Sequence, residues 1–321
     1  MSRVPVAVAY ALDPEIRARI AGVDERIELL DDSAPLAAGE VALLGTPPGQ
    51  LPEVLRKAVR TRGSRLRWVQ STWAGAGEQY AAAELTPEEL DRVALTTSAG
   101  VYATPLAEFA LFGLLAFAKD LPRLLRSQAG RRWDRFTMAE LGDWTVLMVG
   151  LGGIGREVAR LAKAFGARTI GIKRTPAEVP HVDEVHAIDR LRELLPRADA
   201  VVLTLPTTAA TRGLLDREAL SLLPSHAVLV NVGRGATVDE EALVDALREG
   251  RLGGAALDVF AVEPLPVESP LWRLPNVVIA PHAAGQSVHD EERIVDLFCD
   301  NLRRYLRGEP LRNRVDPEHY Y

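Results

Sequence analysis

Short apolar runs alternate with polar segments of helical spacing along nearly the whole chain, and that alternation predicts strands and helices in turn. The first group of strand candidates is Val4 to Tyr10, Ile27 to Leu30, Val41 to Leu44, Leu66 to Val69 and Val93 to Leu95. Helix candidates separate them at Pro14 to Ala21, Leu51 to Thr61 and Thr86 to Asp91, the last opened by a capping threonine and a proline. The second group is Val146 to Val149, Thr169 to Ile172, Ala200 to Leu205, Ala227 to Asn231, Ala255 to Asp258 and Val277 to Ile279. Helices fill its gaps, most clearly from Asp239 to Glu249, which opens on a capping aspartate. Such alternation predicts two α/β units, each built on a parallel sheet with covering helices.

Between the groups, Thr97 to Gly100 is small and flexible, and an apolar helix is expected from Thr104 to Arg126, capped by Thr104 and Pro105. Leu106, Phe109, Leu111, Phe112, Leu115 and Phe117 spread round more than one face of it, which calls for burial on two sides. A subunit interface and plain core burial both satisfy that demand. An amphipathic helix from Asp290 to Leu306 closes the chain, and it is placed to return to the first unit.

The stretch from Val146 to Thr175 carries the first chemistry. Gly150, Gly152 and Gly155 form G-x-G-x-x-G between an apolar strand and a helix whose Ile154, Val158, Leu161 and Phe165 keep helical spacing. The first glycine permits the tight turn, the second lets backbone approach a pyrophosphate, and the third lets helix pack on strand. The helix N-terminus directs unpaired N–H groups at the phosphates. In an NAD site the second strand ends on Asp or Glu, which accepts from the ribose 2′-OH. Here that end reads Lys173, Arg174, Thr175, two cations and a hydroxyl suited to a 2′-phosphate, so NADP(H) is expected, with NAD possible.

Composition narrows the class. The chain has 321 residues, 47% of them hydrophobic, with a formal charge of −6. A mean hydropathy of +0.01 and a pI near 5.7 fit a soluble protein without a general nucleic-acid or membrane surface. The N-terminus reads as a first strand and not a signal peptide, and a single cysteine, Cys299, rules out an internal disulfide and suits a reducing, cytoplasmic compartment. His181, His186, His226, His289 and His319 show no metal-ligand spacing, and no metal is expected.

Three segments at the C-terminal ends of late strands bring one Arg, one Glu and one His to the edge that carries the glycine turn: Asn231 to Gly235, Asp258 to Pro264, and Ala280 to Gly285. That set suits hydride transfer to a 2-oxo acid. Arg234 would clamp the substrate carboxylate and carbonyl, His282 would exchange the proton at the carbonyl oxygen, and Glu263 would orient the imidazole. Asp258 is placed to accept from a nicotinamide amide.

With VGLGGIGREVA, LPTTAATRGLL, NVGRGATVDEEAL, ALDVFAVEPLP and APHAAG, the chain resembles the D-isomer-specific 2-hydroxyacid dehydrogenases over nearly its whole length. The resemblance implies Arg234, Glu263 and His282 as the catalytic set. It also implies two Rossmann-like, doubly wound domains with a cleft: a flavodoxin-like substrate domain of residues 1–98 and 289–321, and a dinucleotide domain of residues 99–288. Expected cofactor contacts are Gly150, Gly152, Gly153, Ile154 and Gly155, then Lys173, Arg174 and Thr175. Leu205, Pro206, Thr211, Val232, Gly233, Asp258 and Gly285 complete them from later strand ends. The substrate carboxylate would also meet backbone N–H groups at Trp73, Ala74, Gly75 and Ala76. Trp73, Tyr102 and, from across a subunit interface, Phe136 would shape the side-chain pocket. A homodimer is usual in that family.

Lys173 departs from the family's usual acidic residue and resembles the NADP-preferring glyoxylate and hydroxypyruvate reductase branch. The end near Tyr321 lacks the regulatory extension of many phosphoglycerate dehydrogenases, which argues against feedback-controlled serine synthesis. The expected activity is reduction of a small 2-oxo acid such as glyoxylate or hydroxypyruvate. The alternatives are a dinucleotide-sensing protein of corepressor type, or an NAD-dependent dehydrogenase of another small acid such as phosphoglycerate or phosphite.

Overall fold

The computed structural model describes residues 3–316 and divides into two compact units, one of residues 1–101 with 287–321, the other of residues 102–286. The first unit contains β1 (Val4–Val8), α1 (Pro14–Ala21), β2 (Ile27–Leu29), β3 (Val41–Leu44), α2 (Leu51–Arg60), β4 (Trp68–Ser71), α3 (Gly77–Ala82), α4 (Pro87–Arg92) and β5 (Ala94–Thr96). Its strands are all parallel, in the order β2-β1-β3-β4-β5. Side-chain caps start two of its helices: Asp13 accepts from the Glu15 N–H, and Thr86 forms a reciprocal box with Glu89. Each such cap is worth about 1 kcal/mol.

The second unit runs through α5 (Ala103–Ala118), α6 (Leu121–Ala129), β6 (Thr145–Val149), α7 (Gly153–Ala164), β7 (Arg168–Ile172) and β8 (Glu184–His186). It continues with α8 (Leu191–Leu194), β9 (Ala200–Leu203), α9 (Arg217–Ser221), β10 (Val228–Asn231), α10 (Glu240–Arg248), β11 (Gly254–Leu257) and β12 (Val277–Ile279). The seven strands are parallel in the order β12-β11-β10-β9-β6-β7-β8, so the chain reverses direction across the sheet between β6 and β9. Ligands of such sheets bind at the carboxyl ends of the strands beside that reversal.

Both faces of this sheet are covered, which is why its central strands are apolar through their middles, with polar residues only at strand ends such as Thr145 and Asn231. Leu147, Val149, Val201, Leu203 and Leu229 pack on one side with α9 and α10 residues such as Leu220 and Leu243. Val146, Met148, Val202, Val228 and Val230 pack on the other with Ala107 and Leu114 of α5 and Val158 of α7. Each fully buried Val or Leu contributes about 1.5–3 kcal/mol, so the two layers hold the strand ends in fixed register.

The final helix, α11 (Asp290–Arg307), belongs to the first unit. Its Phe298 and Tyr305 lie 5.2 and 5.8 Å from the Trp68 ring, and Asn301 donates to Gln70 at 3.1 Å. Cys299 is buried on the same helix.

Four elements differ from the sequence expectation. The single helix expected from Thr104 to Arg126 is two helices, because Asp120 turns left-handed at φ +49 and caps α6 by accepting from the Arg123 N–H. Pro122 sits in the first turn of α6, where a missing N–H costs nothing. Nor does Thr104 cap α5, which begins one residue earlier after Tyr102. The strand expected at Leu66 lies two residues later, and α3 and the edge strand β8 carry no clear periodicity. Among the described residues no helix is long and apolar enough to cross a membrane.

Candidate active site

The glycine turn sits where β6 passes into α7. Gly150 has φ +111, a conformation L side chains avoid, and a Cβ on Gly155 would lie 1.9 Å from the Gly150 carbonyl oxygen. The turn is further tied to β9, since the Thr204 hydroxyl donates to that same oxygen at 2.9 Å. Gly152 and Gly153 are exposed, and a Cβ on Gly152 would meet nothing within 4 Å. Open backbone at a helix N-terminus is the room a dinucleotide pyrophosphate needs, and the residues present fit such a group. Ile154 is half-buried against the α5 side of the core.

At the end of β7, Lys173 is half-buried and Arg174 and Thr175 are exposed. The Lys173 N–H still donates to His186 O at 3.0 Å, so it continues the ladder with β8. Past β9, Leu205 packs over the turn, 3.0 Å from where a Gly150 Cβ would stand. Its backbone in turn closes on Gly233, where a Cβ would lie 2.7 Å from Leu205 O. Thr211 spends its hydroxyl within its own loop, donating to Pro206 O at 2.7 Å and accepting from the Thr208 N–H. Val232 is buried, its N–H given to Leu203 O.

The loops after β11 and β12 bring Glu263 and His282 into hydrogen-bond contact, and the loop after β10 carries Arg234 beside them. Asn231 shapes the β10 loop by accepting from the Gly233 N–H at 3.0 Å and donating to Arg234 O at 3.1 Å, while Thr237 donates to that same carbonyl at 2.6 Å. Arg234 is half-buried, with Nη1 on Gly233 O at 2.7 Å. Directly after it, a Cβ on Gly235 would lie 1.9 Å from the Phe260 carbonyl carbon, so the arginine loop rests on the loop that carries Glu263.

Glu263 accepts from the Phe260 N–H at 3.0 Å through Oε1, and its Oε2 lies 2.7 Å from Nδ1 of His282. The imidazole is half-exposed. His282 takes a left-handed backbone, φ +54, uncommon for a side chain of its kind. Asp258 holds that turn in place: its carbonyl accepts from the His282 N–H at 2.9 Å, and its Oδ1 accepts from Ala283 and Ala284 at 2.8 and 2.9 Å. Asp258 is almost wholly buried, and burial pushes its carboxyl above the usual range, against the pull of the two backbone donors. Gly285 lies next to Tyr102, with 3.7 Å between its would-be Cβ and that ring.

In the first unit, Trp73 to Ala76 follow β4. The Trp73 indole N–H donates to Thr46 O at 2.9 Å, its backbone N–H to the Ser71 hydroxyl at 3.1 Å, and Ser98 donates to Ser71 O. The ring is thereby fixed while 41% of the residue stays exposed, and Ala76 is buried. Phe136 lies under the Arg123 guanidinium at 4.1 Å. Thr204 and Asn231 were not among the expected site residues. Their only signal is a polar side chain at the carboxyl end of an apolar strand.

The family described as D-isomer specific 2-hydroxyacid dehydrogenase, NAD binding domain, matches residues 111–284. Over 233 residues the chain is 37% identical to a glyoxylate reductase of Korarchaeum cryptofilum, covering 70% of this chain and 69% of that one. Identity is also 37% over 214 residues to a D-3-phosphoglycerate dehydrogenase of Methanocaldococcus jannaschii, covering 66% of this chain but only 41% of that longer protein. Among solved structures, a D-isomer specific 2-hydroxyacid dehydrogenase from Xanthobacter autotrophicus, in complex with NADPH and MES, covers both chains fully at 31% identity and TM-score 0.82. The chain belongs to the D-isomer specific 2-hydroxyacid dehydrogenase family, with two parallel-sheet α/β domains and an NAD(P)-binding domain of Rossmann type.

Proposed function

We propose that this protein is an NADP(H)-linked reductase of small 2-oxo acids of the glyoxylate or hydroxypyruvate type, giving D-2-hydroxy acids. The observation that carries the chemistry is the Glu263–His282 pair, 2.7 Å apart on neighbouring strand-end loops, with Arg234 on the loop beside them. With Nδ1–H donated to Glu263, the imidazole keeps Nε2 for the substrate. In reduction the protonated Nε2 gives its proton to the carbonyl oxygen, and in oxidation it takes the proton back. Glu263 supports the imidazolium and fixes the ring plane. Arg234 holds the carboxylate beside the reacting carbon, which converts a chance encounter into an oriented one.

The glycine turn and the ends of β7, β9, β10 and β11 would hold the dinucleotide, which supplies the hydride when bound. Lys173, Arg174 and Thr175 are the basis for preferring the 2′-phosphorylated form, a preference that accords with the NADPH in the Xanthobacter structure. Asp258 serves the nicotinamide amide in this reading while its Oδ1 holds the His282 turn. Residues 1–98 with 289–321 would serve as the substrate domain, where backbone N–H groups from Trp73 to Ala76 are suited to a carboxylate and the fixed indole of Trp73 favours short side chains. The apolar groove between α5 and α6, lined by Phe112, Leu115, Leu121 and Leu124, fits the homodimer usual in the family. A cytoplasmic enzyme is the corresponding location.

Turnover of a panel of 2-oxo acids with NADPH, followed by assignment of the product's configuration, tests this reading. D-configured product from the smallest acids supports it. Tight NADPH binding without turnover of any 2-oxo acid favours a sensing protein instead.

A further inference from the structure

The first turn of α7 carries a cation that the cofactor assignment leaves out. Three cations lie along this helix, and two are neutralised: Arg160 pairs with Glu157 and Lys163 with Asp183, each at 2.6 Å. Arg156 pairs with no carboxylate among the described residues. Instead its Nε donates to the carbonyl of Leu151, inside the glycine turn, at 3.1 Å. That bond fixes the start of the guanidinium and leaves both Nη groups for another acceptor.

Leu151 gives the direction. Its side chain occupies the space of the missing side chain on Gly171 of β7, where a Cβ would lie 2.4 Å from Leu151 Cδ1. Side chains two residues apart on a strand share a face, and the Lys173 N–H is still bonded to β8. Lys173 therefore leaves β7 on the Leu151 side, about 7 Å further toward the carboxyl edge. Lys173, like Arg156, has no carboxylate partner among the described residues. The glycine turn and the end of β7 thus present two cations without carboxylate partners to one corner. In dinucleotide sites of this topology the ribose 2′ position faces that strand end.

We infer that Arg156 is a specificity residue for the adenosine 2′-phosphate, closing from the helix side a pocket whose strand side is Lys173, Arg174 and Thr175. This inference rests on the NADP(H) reading above. A phosphate there has three outward oxygens, enough for a guanidinium fork from α7 and an ammonium from β7 together. An acidic residue at the end of β7, as in NAD sites, would leave Arg156 an ion-pair partner and no phosphate role.

The test is calorimetric titration of the full chain with NADPH, NADH, 2′,5′-ADP and 5′-AMP, for wild type, Arg156→Gln and Arg156→Lys. Arg156→Gln is expected to weaken NADPH and 2′,5′-ADP about tenfold or more while NADH and 5′-AMP stay within about twofold. Arg156→Lys should fall between, keeping the charge and losing the fork. An equal loss for NADPH and NADH would place Arg156 on the pyrophosphate and overturn the inference, as would no loss at all. A wild type that binds both dinucleotides equally would overturn the NADP(H) reading, and this inference with it.

Discussion

One carboxylate, Glu263, bonds both its own loop and the imidazole of the next: Oε1 takes the Phe260 N–H at 3.0 Å while Oε2 faces His282 Nδ1 at 2.7 Å. The position of the imidazole is therefore inherited from the β11 loop, and the Arg234 loop rests on that same Phe260. Three strand ends act as one rigid mount.

From this mount, His282→Ala should lower kcat/KM for reduction by about 10²–10⁴. Glu263→Gln should cost less, because an amide oxygen still accepts from Nδ1–H and holds the ring plane. Equal losses in Glu263→Gln and His282→Ala, read as kcat/KM, would show that a neutral acceptor does not suffice to orient the ring.

Asp258 should trade stability for position. Its carboxyl is raised by burial, so its contribution to stability is complete below the unfolded carboxylate range and is lost as pH rises through the folded value. Asp258→Asn keeps an acceptor for Ala283 and Ala284 and removes the buried charge. Its Tm relative to wild type should rise from pH 4 to pH 7 while kcat falls. A variant that loses more stability at pH 7 than at pH 4 would contradict this sign.

Gly235→Ala places a methyl 1.9 Å from the Phe260 carbonyl carbon, so backbone must move. Overpacking of this kind costs about 1–3 kcal/mol, read by urea denaturation. kcat/KM should drop as well, because the displaced loop carries Arg234. Full activity at reduced stability would show that the two loops are not mechanically coupled.

The layers, most strand positions and the glycine turn were legible because burial on both faces writes itself as continuous apolar runs, as in Val146 to Val149. Asp239 and Thr86 announced their helices by local hydrogen bonding, which a sequence displays directly. Asp120 was misread because an apolar run continues on either side of it, and only its left-handed backbone separates α5 from α6. β8 was invisible because an edge strand of three half-buried residues has no apolar run to show. The residue types at Arg234, Glu263 and His282 were legible, but the role of Asp258 in holding the His282 turn was not, since backbone N–H donors at 2.8 Å from its carboxylate leave no pattern in sequence.

β8 is held at its edge by charge. Glu184 accepts from Arg197, His186 and Arg168, which together lower its carboxyl to about 2, with Arg197 the largest cause. A lowered value contributes stability that is present above the unfolded carboxylate range and lost as pH falls toward 2. With the side chain 25% exposed, Glu184→Gln should cost about 1–2 kcal/mol at pH 7. That difference should shrink below pH 4, read by denaturation at several pH values. An equal cost at pH 7 and pH 3 would rule out the charge as its origin.

The most direct test of the account is a steady-state comparison of NADPH and NADH with glyoxylate and hydroxypyruvate, in wild type, Lys173→Asp and His282→Ala. The account predicts reduction of these acids with a clear NADPH preference, weakened in Lys173→Asp and accompanied by near-complete loss of turnover in His282→Ala. Equal use of both cofactors by the wild type, or turnover that survives His282→Ala, would contradict it.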